Sequence, residues 1–228
     1  MKESYKIIKN DDRLFFSDGE KYVLFDSGFV NGSVSVNGKI GPFNAQTVAE
    51  KFMDSFINLK MPDGKNVTAV FNPMDGYNCL LQGDTIIITD EEMVLDSCKY
   101  FFPFIDKHLP LIEGSINGQN CRFFFDSGAR MTMFGEKAHA VEKIKTYTEW
   151  MAMKHCFADL DVFKLNLTFP NGFEYQGEGA LVTDRAYLMA AQMMNIKAML
   201  GIDIFRHYDM AVFSKGQRGI GLLEKITR

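Results

Sequence analysis

Features that mark several common classes of protein are scarce or missing in this chain of 228 residues. Its four cysteines form no CxxC pair and have no histidine partner at a ligand spacing, which argues against a zinc site and against a disulfide framework. No glycine-rich stretch ends in the Gly-Lys-Ser/Thr of a phosphate loop. The sequence therefore predicts no metal and no cofactor.

Clustered positive charge and long apolar runs are missing as well. The formal net charge is −4, and a nucleic-acid partner would require Lys and Arg concentrated on one face. The first ten residues lack the apolar segment of a signal peptide, and the longest apolar-rich run, "AYLMAAQMMNI", is too short to cross a bilayer. The expectation is a cytoplasmic protein with no nucleic-acid partner and no membrane span.

What the chain does contain is a repeat. "YVLFDSG" ends at Gly28 and "RFFFDSG" ends at Gly128. Each stretch closes a predicted hairpin, because "RLFFSDGEKYVLFD" and "PLIEGSINGQNCRFFFD" carry Asp-Gly and Asn-Gly turns between apolar runs. A second pair of landmarks, "NLKMPDG" and "NLTFPNG", follows in the same order. Two landmarks recurring in order predict an internal duplication with a period of about 100 residues.

Two further expectations concern the interior of the protein. The 21 phenylalanines predict an aromatic core. Between the two copies, apolar residues recur at helical spacing and predict one helix from about Asn44 to Ile57. Asp203, after "MLGI", is expected to cap a short helix rather than to act in catalysis.

The second copy resembles a known family. "RFFFDSGARMTMF" is similar to the active-site loop of the retropepsin and pepsin aspartic peptidases, with its pattern apolar-apolar-Asp-Thr/Ser-Gly-Ala/Ser. "AMLGIDIFRHYDMAVF" resembles the second landmark of that family. The resemblance is strong over about 110–223 and weaker over 12–95, where "LLQGD" near Gly83 is only a poor counterpart of "AMLGID" and Phe29 replaces a small residue.

The resemblance implies a mainly β fold. Two similar retropepsin-like β-barrel lobes, with short helices, would be related by a pseudo-two-fold axis. The N-terminal lobe would cover residues 1–104 and the C-terminal lobe residues 105–228.

The resemblance also implies a set of site residues. Peptide hydrolysis by this route needs two adjacent carboxyl groups that share one proton, since two such close charges cannot both ionise. The implied residues are catalytic Asp26 and Asp126, the supporting residues Ser27, Gly28, Ser127, Gly128 and Ala129, and two flap tips, Asp63-Gly64 and Asn171-Gly172. Each serine would brace the opposite loop, and the flaps would close over an extended polypeptide.

Three functions remain open at the level of sequence. The first is a monomeric aspartic endopeptidase in which Asp26 and Asp126 of one chain activate a water molecule. The second is a retropepsin-like homodimer that uses only Asp126 of each chain. The third is a catalytically silent protease-like module that binds extended peptides.

Overall fold

The structure is a computed structural model that describes residues 1–29, 35–48, 59–94, 98–151 and 156–223. These residues form a mainly β protein, as the sequence predicts. The strands are β1 (Lys2–Asn10), β2 (Arg13–Ser17), β3 (Tyr22–Phe25), β4 (Ser35–Ile40), β5 (Phe43–Val48), β6 (Ala69–Phe71), β7 (Asn78–Gln82), β8 (Thr85–Thr89), β9 (Tyr100–Pro103), β10 (Leu111–Ile116), β11 (Gln119–Phe125), β12 (Met133–Phe134), β13 (Lys143–Met151), β14 (Cys156–Thr168), β15 (Glu174–Leu181), β16 (Ala198–Leu200), β17 (Asp209–Phe213) and β18 (Gly219–Leu223). Helix α1 spans Arg185–Met193, and short 3₁₀ turns span Pro73–Asp75, Lys137–His139 and Ile202–Phe205.

The strands form two sheets. One has eleven strands in the order β4-β5-β6-β3-β2-β1-β8-β7-β17-β18-β9. The other has seven in the order β10-β11-β16-β12-β15-β14-β13, and a further β10–β14 pairing curls it back on itself. Strands β17 and β18, from the end of the chain, complete the larger sheet, so residues far apart in sequence share its hydrogen bonds.

Both predicted hairpins that precede an Asp-Ser-Gly sequence are present. Strands β2 and β3 pair in antiparallel fashion, as do β10 and β11. The second hairpin turns at Asn117 and Gly118, which have φ values of 49° and 80°. Such left-handed conformations suit Asn-Gly and match the right-handed twist of the flanking strands. In the first turn only Gly19 is left-handed, with φ of 96°, so each turn places a glycine where a left-handed backbone is needed.

The last strand of each hairpin pairs with a parallel strand, and the sequence indicates the segment that contains this partner only for the second hairpin. Strand β11 pairs in parallel with β16, which contains the "AML" of the second landmark. Strand β3 pairs in parallel with β6, which is Ala69–Phe71. The counterpart of "AML" is therefore "AVF", and the comparison with "LLQGD" near Gly83 is wrong. "LLQGD" belongs to β7 and the turn before β8.

The predicted helix from Asn44 to Ile57 is wrong over its first turn. Residues 44 to 48 belong to β5, which pairs with β4 and with β6. Phe43 and Ala45 are buried while Asn44 is exposed, an alternation that a strand produces as readily as a helix. Positions 49 to 57 of the prediction lie outside the described residues.

The core is aromatic, as expected. The largest fully buried side chains include ten phenylalanines: Phe15, Phe16, Phe25, Phe43, Phe71, Phe102, Phe123, Phe125, Phe134 and Phe205. Phe125 packs on Phe205 with ring centroids 5.6 Å apart, and Phe25 packs on Phe71 at 6.2 Å. Because Phe25 and Phe125 immediately precede the two Asp-Ser-Gly sequences, these aromatic contacts fix the strand ends that carry the aspartates. In the parts of the chain that the structure describes, no helix is long and apolar enough to cross a membrane.

Candidate catalytic site

The two Asp-Ser-Gly loops begin in the same way. The N–H group of Asp26 donates to the carbonyl oxygen of Phe71 at the end of β6, at 3.0 Å. The N–H group of Asp126 donates to the carbonyl oxygen of Leu200 at the end of β16, at 2.9 Å. Each aspartate thus stands where a short parallel strand pair ends.

The serines connect the two loops reciprocally. The N–H group of Ser27 donates to Ser127 Oγ at 2.9 Å, and the N–H group of Ser127 donates to Ser27 Oγ at 3.0 Å. The hydroxyl of Ser27 donates to the carbonyl of Phe125 at 3.0 Å, and that of Ser127 donates to the carbonyl of Phe25 at 3.2 Å. Both serines are buried, so these four bonds replace water for every polar group involved.

The glycines bring the carboxyl groups together. A Cβ atom added to Gly28 would lie 2.4 Å from Cγ of Asp126, and one added to Gly128 would lie 2.4 Å from Cγ of Asp26. Each loop backbone therefore touches the carboxyl group of the other loop. The two aspartate side chains also hydrogen-bond to each other. Residues 100 positions apart in one chain thus form a single carboxyl pair.

The electrostatics of the pair are unequal. Burial raises the pKa of Asp26 well above its ordinary value of 3.8, and the neighbouring charge and hydrogen bond of Asp126 raise it further. Burial also raises the pKa of Asp126, but the hydrogen bond from Asp26 and the N–H groups of Gly128 and Ala129 act in the opposite direction. Of the pair, Asp126 is thus the residue more readily ionised, and Asp26 the one that retains the shared proton.

Phe29 occupies the position at which the second copy has Ala129, and the structure accommodates it. Its side chain packs against a small cluster of buried residues that includes Phe15, Leu24 and Val70. Its carbonyl oxygen accepts a hydrogen bond from Asn72 at 2.9 Å. The bulky residue therefore packs against this cluster while the contact between Gly28 and Asp126 is kept.

The first predicted flap tip, Asp63-Gly64, lies away from the carboxyl pair. Asp63 accepts a hydrogen bond from the hydroxyl of Tyr22 at 2.8 Å. Tyr22 begins β3, and Asp26 follows the end of that strand. Four residues of extended chain span about 13 Å. The turn is thus held at the opposite end of β3 from the site.

The second predicted flap tip, Asn171-Gly172, has a similar setting. The side chain of Asn171 donates to the carbonyl of Phe101 in β9 at 2.9 Å, and the flanking Phe173 is buried. The register that pairs β14 with β10 brings this turn to the Asn120 end of β11, six residues before Asp126, or about 20 Å along a strand. In both turns the glycine N–H donates to the carbonyl three residues earlier, that of Met61 at 2.8 Å or that of Phe169 at 3.0 Å. Both turns are thus anchored away from the carboxyl pair.

A different hairpin, formed by β13 and β14, is linked to the loop that carries Asp126. Glu149, in β13, forms ion pairs with Arg13 at 2.7 Å and with Arg130 at 3.1 Å. Arg13 in turn donates from Nε to the carbonyl of Gly128 at 3.0 Å. No motif in the sequence points to Arg13, Arg130 or Glu149. Their only local signal is a charged residue at the edge of an apolar strand, as in "RLFF".

The sequence predicts that Asp203 caps a helix, but its side chain instead binds residues close to the second Asp-Ser-Gly loop. It accepts hydrogen bonds from Thr132 at 3.3 Å and from Tyr175 at 3.2 Å, and Gly201 is the residue at the cap position. Burial raises the pKa of Asp203 to about 6. The preceding residue, Ile202, donates its N–H to the carbonyl of Ala129 at 2.9 Å. Asp203 is thus tied to the segment that follows Asp126 without belonging to the pair.

Within the described ranges, no group of three or more His, Cys, Asp or Glu side chains could hold a metal ion. The oxygen atoms that converge between the loops belong to the two aspartates, whose side chains already bond to each other and to loop N–H groups.

Removing one serine hydroxyl should weaken the fold. Ser27→Ala leaves the buried N–H of Ser127 without its acceptor, and a buried unsatisfied group costs roughly 1–3 kcal/mol. We expect a loss of that size in the free energy of unfolding, measured by urea denaturation. Ser27→Thr, which keeps the hydroxyl, should retain most of the stability. The exposed Ser4→Ala serves as the control and should change stability by less than about 0.5 kcal/mol. Equal stability of Ser27→Ala and wild type would contradict the reciprocal bonds.

No protein-family model matches the chain. No curated protein matches it either. The functional interpretation therefore rests on the two joined loops and on the carboxyl pair between them.

Proposed function

We propose that the protein is a single-chain aspartic endopeptidase whose catalytic residues are Asp26 and Asp126. The observation that carries the proposal is the reciprocal bonding of Ser27 and Ser127, which joins two Asp-Ser-Gly loops of one chain around one carboxyl pair. The paired bonds, the glycine contacts and the two parallel strand pairs support a pseudo-two-fold axis between the loops. Two retropepsin-like lobes would then meet at this axis.

The chemistry follows from the unequal environments of the two carboxyl groups. Ionised Asp126 takes a proton from water as the water oxygen attacks the scissile carbonyl carbon, and Asp26 gives its proton to the carbonyl oxygen. The product is a neutral tetrahedral diol. Asp126 then passes its proton to the amide nitrogen as the C–N bond breaks, and one diol hydroxyl returns a proton to Asp26. The pair ends in its starting state, so each cycle consumes one water and one peptide bond.

The substrate class is an extended polypeptide. Both aspartates retain partial solvent exposure, so a substrate can reach them. The hairpin of β13 and β14 is the element tied to the second loop through Glu149, and β13 is an edge strand of its sheet. An extended peptide can pair with such an edge through its main chain. We assign the covering role to this hairpin in place of the turns at Asp63-Gly64 and Asn171-Gly172.

Cleavage of an unfolded protein between pH 3 and pH 8 tests the proposal. Activity needs the singly protonated pair, so we expect a bell-shaped profile. Because the pKa of Asp126 is raised, the acid limb should lie above 3.8, the ordinary value for aspartate. Fragments are identified by mass spectrometry, and circular dichroism verifies folding at each pH. A peptide with a secondary alcohol in place of the scissile amide should inhibit, because it mimics the diol.

A metal chelator at constant pH provides the matching control. The proposed steps use only carboxyl groups and water, so the rate should be unchanged. Loss of cleavage on chelation, with the protein still folded, would contradict the mechanism. Absence of cleavage together with measurable peptide binding would favour the silent module.

A further inference from the structure

A buried arginine makes contacts in three directions beside the second Asp-Ser-Gly loop. Arg13 donates from Nε to the carbonyl of Gly128 at 3.0 Å, from Nη1 to Asp11 at 2.7 Å and from Nη2 to Glu149 at 2.7 Å. Arg13 is 5% exposed and Glu149 is 1% exposed. The planar guanidinium presents its donors in a fixed fork, so one side chain can hold all three partners at once.

Glu149, which binds Arg13, has its own buried negative charge balanced by hydrogen bonds and cations. Glu149 also accepts hydrogen bonds from Arg130 Nε at 3.1 Å and from the hydroxyl of Tyr147 at 2.7 Å. Burial alone would raise the pKa of Glu149, but Arg13, Tyr147 and Arg130 together lower it. Glu149 is therefore held as an anion, and a buried anion fixes the position of the cations around it.

The contact with Gly128 acts on a single peptide group. The carbonyl of Gly128 and the N–H of Ala129 belong to the same planar peptide and point in opposite directions. The N–H of Ala129 donates to Asp126 Oδ1 at 3.2 Å, and the N–H of Gly128 donates to the same oxygen at 2.9 Å. By holding the carbonyl, Arg13 orients the N–H towards Asp126. A donor on the carbonyl also polarises the amide and strengthens its N–H as a donor.

The other aspartate lacks this support from the equivalent position. Leu24, two residues before Asp26, pairs with Phe15. Phe124, two residues before Asp126, pairs with Leu111. Arg13 lies two residues before Phe15, so its counterpart is Leu109, which lies two residues before Leu111. A leucine side chain donates no hydrogen bond. The sequence thus places a cation beside one loop and an apolar side chain at the matching place beside the other.

We propose that Arg13 is a positioning residue that orients the Gly128–Ala129 peptide and so makes Asp126, rather than Asp26, the carboxylate that accepts the proton of water. The inference rests on the proposed peptidase function, because it assigns the two halves of that chemistry. Within the described ranges, the charged and titratable side chains around this assembly include Asp26, Asp11 from the β1–β2 turn, Arg130 from the loop after Asp126, Tyr147 and Glu149 from β13, Tyr187 from α1, and Asp203 from the turn after β16.

Two variants and a matched control test the inference. Arg13→Met keeps the apolar stem and removes both the charge and the donors, whereas Arg13→Lys keeps the charge without the fork. Arg218→Met is the control, because Arg218 also donates to a backbone carbonyl, that of Asp106, at 2.7 Å. Carbon-13 NMR of the aspartate carboxyl groups follows their titration without substrate. The pH profile of kcat/KM is measured in parallel.

The charge of Arg13 lowers the pKa of both carboxyl groups in the wild type, so Arg13→Met should raise both. We expect the larger rise for Asp126, because only Asp126 also loses the oriented N–H of Ala129. The acid limb of the pH profile should move upward with it. We expect kcat to fall by about tenfold to 100-fold with little change in KM, as for a misplaced catalytic group. Arg13→Lys should lose a similar share of kcat with a smaller shift of the profile. Arg218→Met should titrate and react like the wild type.

The two readouts separate the inference from the proposed function. Carboxyl titration curves of folded Arg13→Met that superimpose on the wild-type curves would overturn the inference, whether or not the protein cleaves peptides. If Arg13→Met does not fold, Arg13→Lys decides: wild-type kcat and titration in that variant would overturn the inference equally. A wild type without peptidase activity would overturn the proposed function, and the NMR titration would still report whether Arg13 acts on Asp126.

Discussion

Asp26→Asn and Asp126→Asn should each abolish peptide cleavage. The mechanism needs one carboxylate to take a proton and one carboxylic acid to give one, and an amide can do neither. Groups that act as one unit show nearly the whole loss on removal of either member, so we expect a fall in kcat of at least about 10³-fold for each variant. The double variant should be no slower than the singles. Initial rates on an unfolded protein at the optimal pH measure the effect.

The same variants should be at least as stable as the wild type at neutral pH. A carboxyl group whose pKa is raised on folding binds its proton more tightly when folded. Its contribution to stability is therefore present below its unfolded pKa and is lost as pH rises through the folded pKa. Burial raises the pKa of both Asp26 and Asp126 from 3.8, so Asn removes a cost at pH 7. Since about 1 kcal/mol changes Tm by about 2–4 °C in a protein of this size, we expect Tm to rise by a few degrees.

The comparison of the two variants also distinguishes the alternative functions. In a homodimer that uses only Asp126, Asp26→Asn would retain activity and the wild-type rate per chain would fall on dilution. In the single-chain enzyme, both variants are inactive and the rate per chain is independent of concentration. Analytical ultracentrifugation at the assay concentration gives the oligomeric state directly. Retained activity in Asp126→Asn would contradict both catalytic readings.

The parts of this protein that the sequence predicts well are those with local rules. The hairpin turns at Asp-Gly and Asn-Gly, and the breaks at Ser-Gly, depend on a few adjacent residues, and the structure has both hairpins. The aromatic core follows from composition. The repeat itself predicts only a duplication, and the expectation that Asp26 and Asp126 meet comes from the resemblance of their loops to those of the aspartic peptidases.

The parts that the sequence misses depend on tertiary contacts. The segment from Phe43 to Val48 fits a helix and a strand equally well by its apolar spacing, and pairing with β6 decides for the strand. Arg13 and Glu149 lie 136 residues apart, so no local pattern links them. The positions of the two turns proposed as flap tips also depend on tertiary contacts. A Pro-x-Gly sequence indicates a hairpin turn, but the register of the β10–β14 pairing determines where the turn at Asn171-Gly172 lies relative to the carboxyl pair.

Gly28→Ala and Gly128→Ala should be nearly as damaging as loss of an aspartate. The new Cβ would lie 2.4 Å from Cγ of the opposite aspartate in each case, closer than any real contact allows. Either the carboxyl group must turn away or the two loops must separate. A displacement of about 1 Å in a catalytic group can cost about 100-fold in rate, so we expect at least that loss in kcat/KM. Overpacking should also lower the free energy of unfolding by about 1–3 kcal/mol.

A second glycine variant separates this contact from ordinary backbone strain. Gly83 lies in the turn between β7 and β8 with φ of 60°, and an added Cβ would have no atom within 4 Å. Gly83→Ala should therefore cost about 1 kcal/mol of stability through the left-handed backbone alone, while the rate per folded molecule stays at the wild-type level. Neither Gly28 nor Gly128 has a left-handed φ. Their alanine variants should therefore lose activity because the new Cβ collides with a carboxyl group, not because of backbone strain. If Gly28→Ala and Gly128→Ala both cleaved at the wild-type rate, the loops could not approach as closely as the shared proton requires, and the carboxyl pair itself would be wrong.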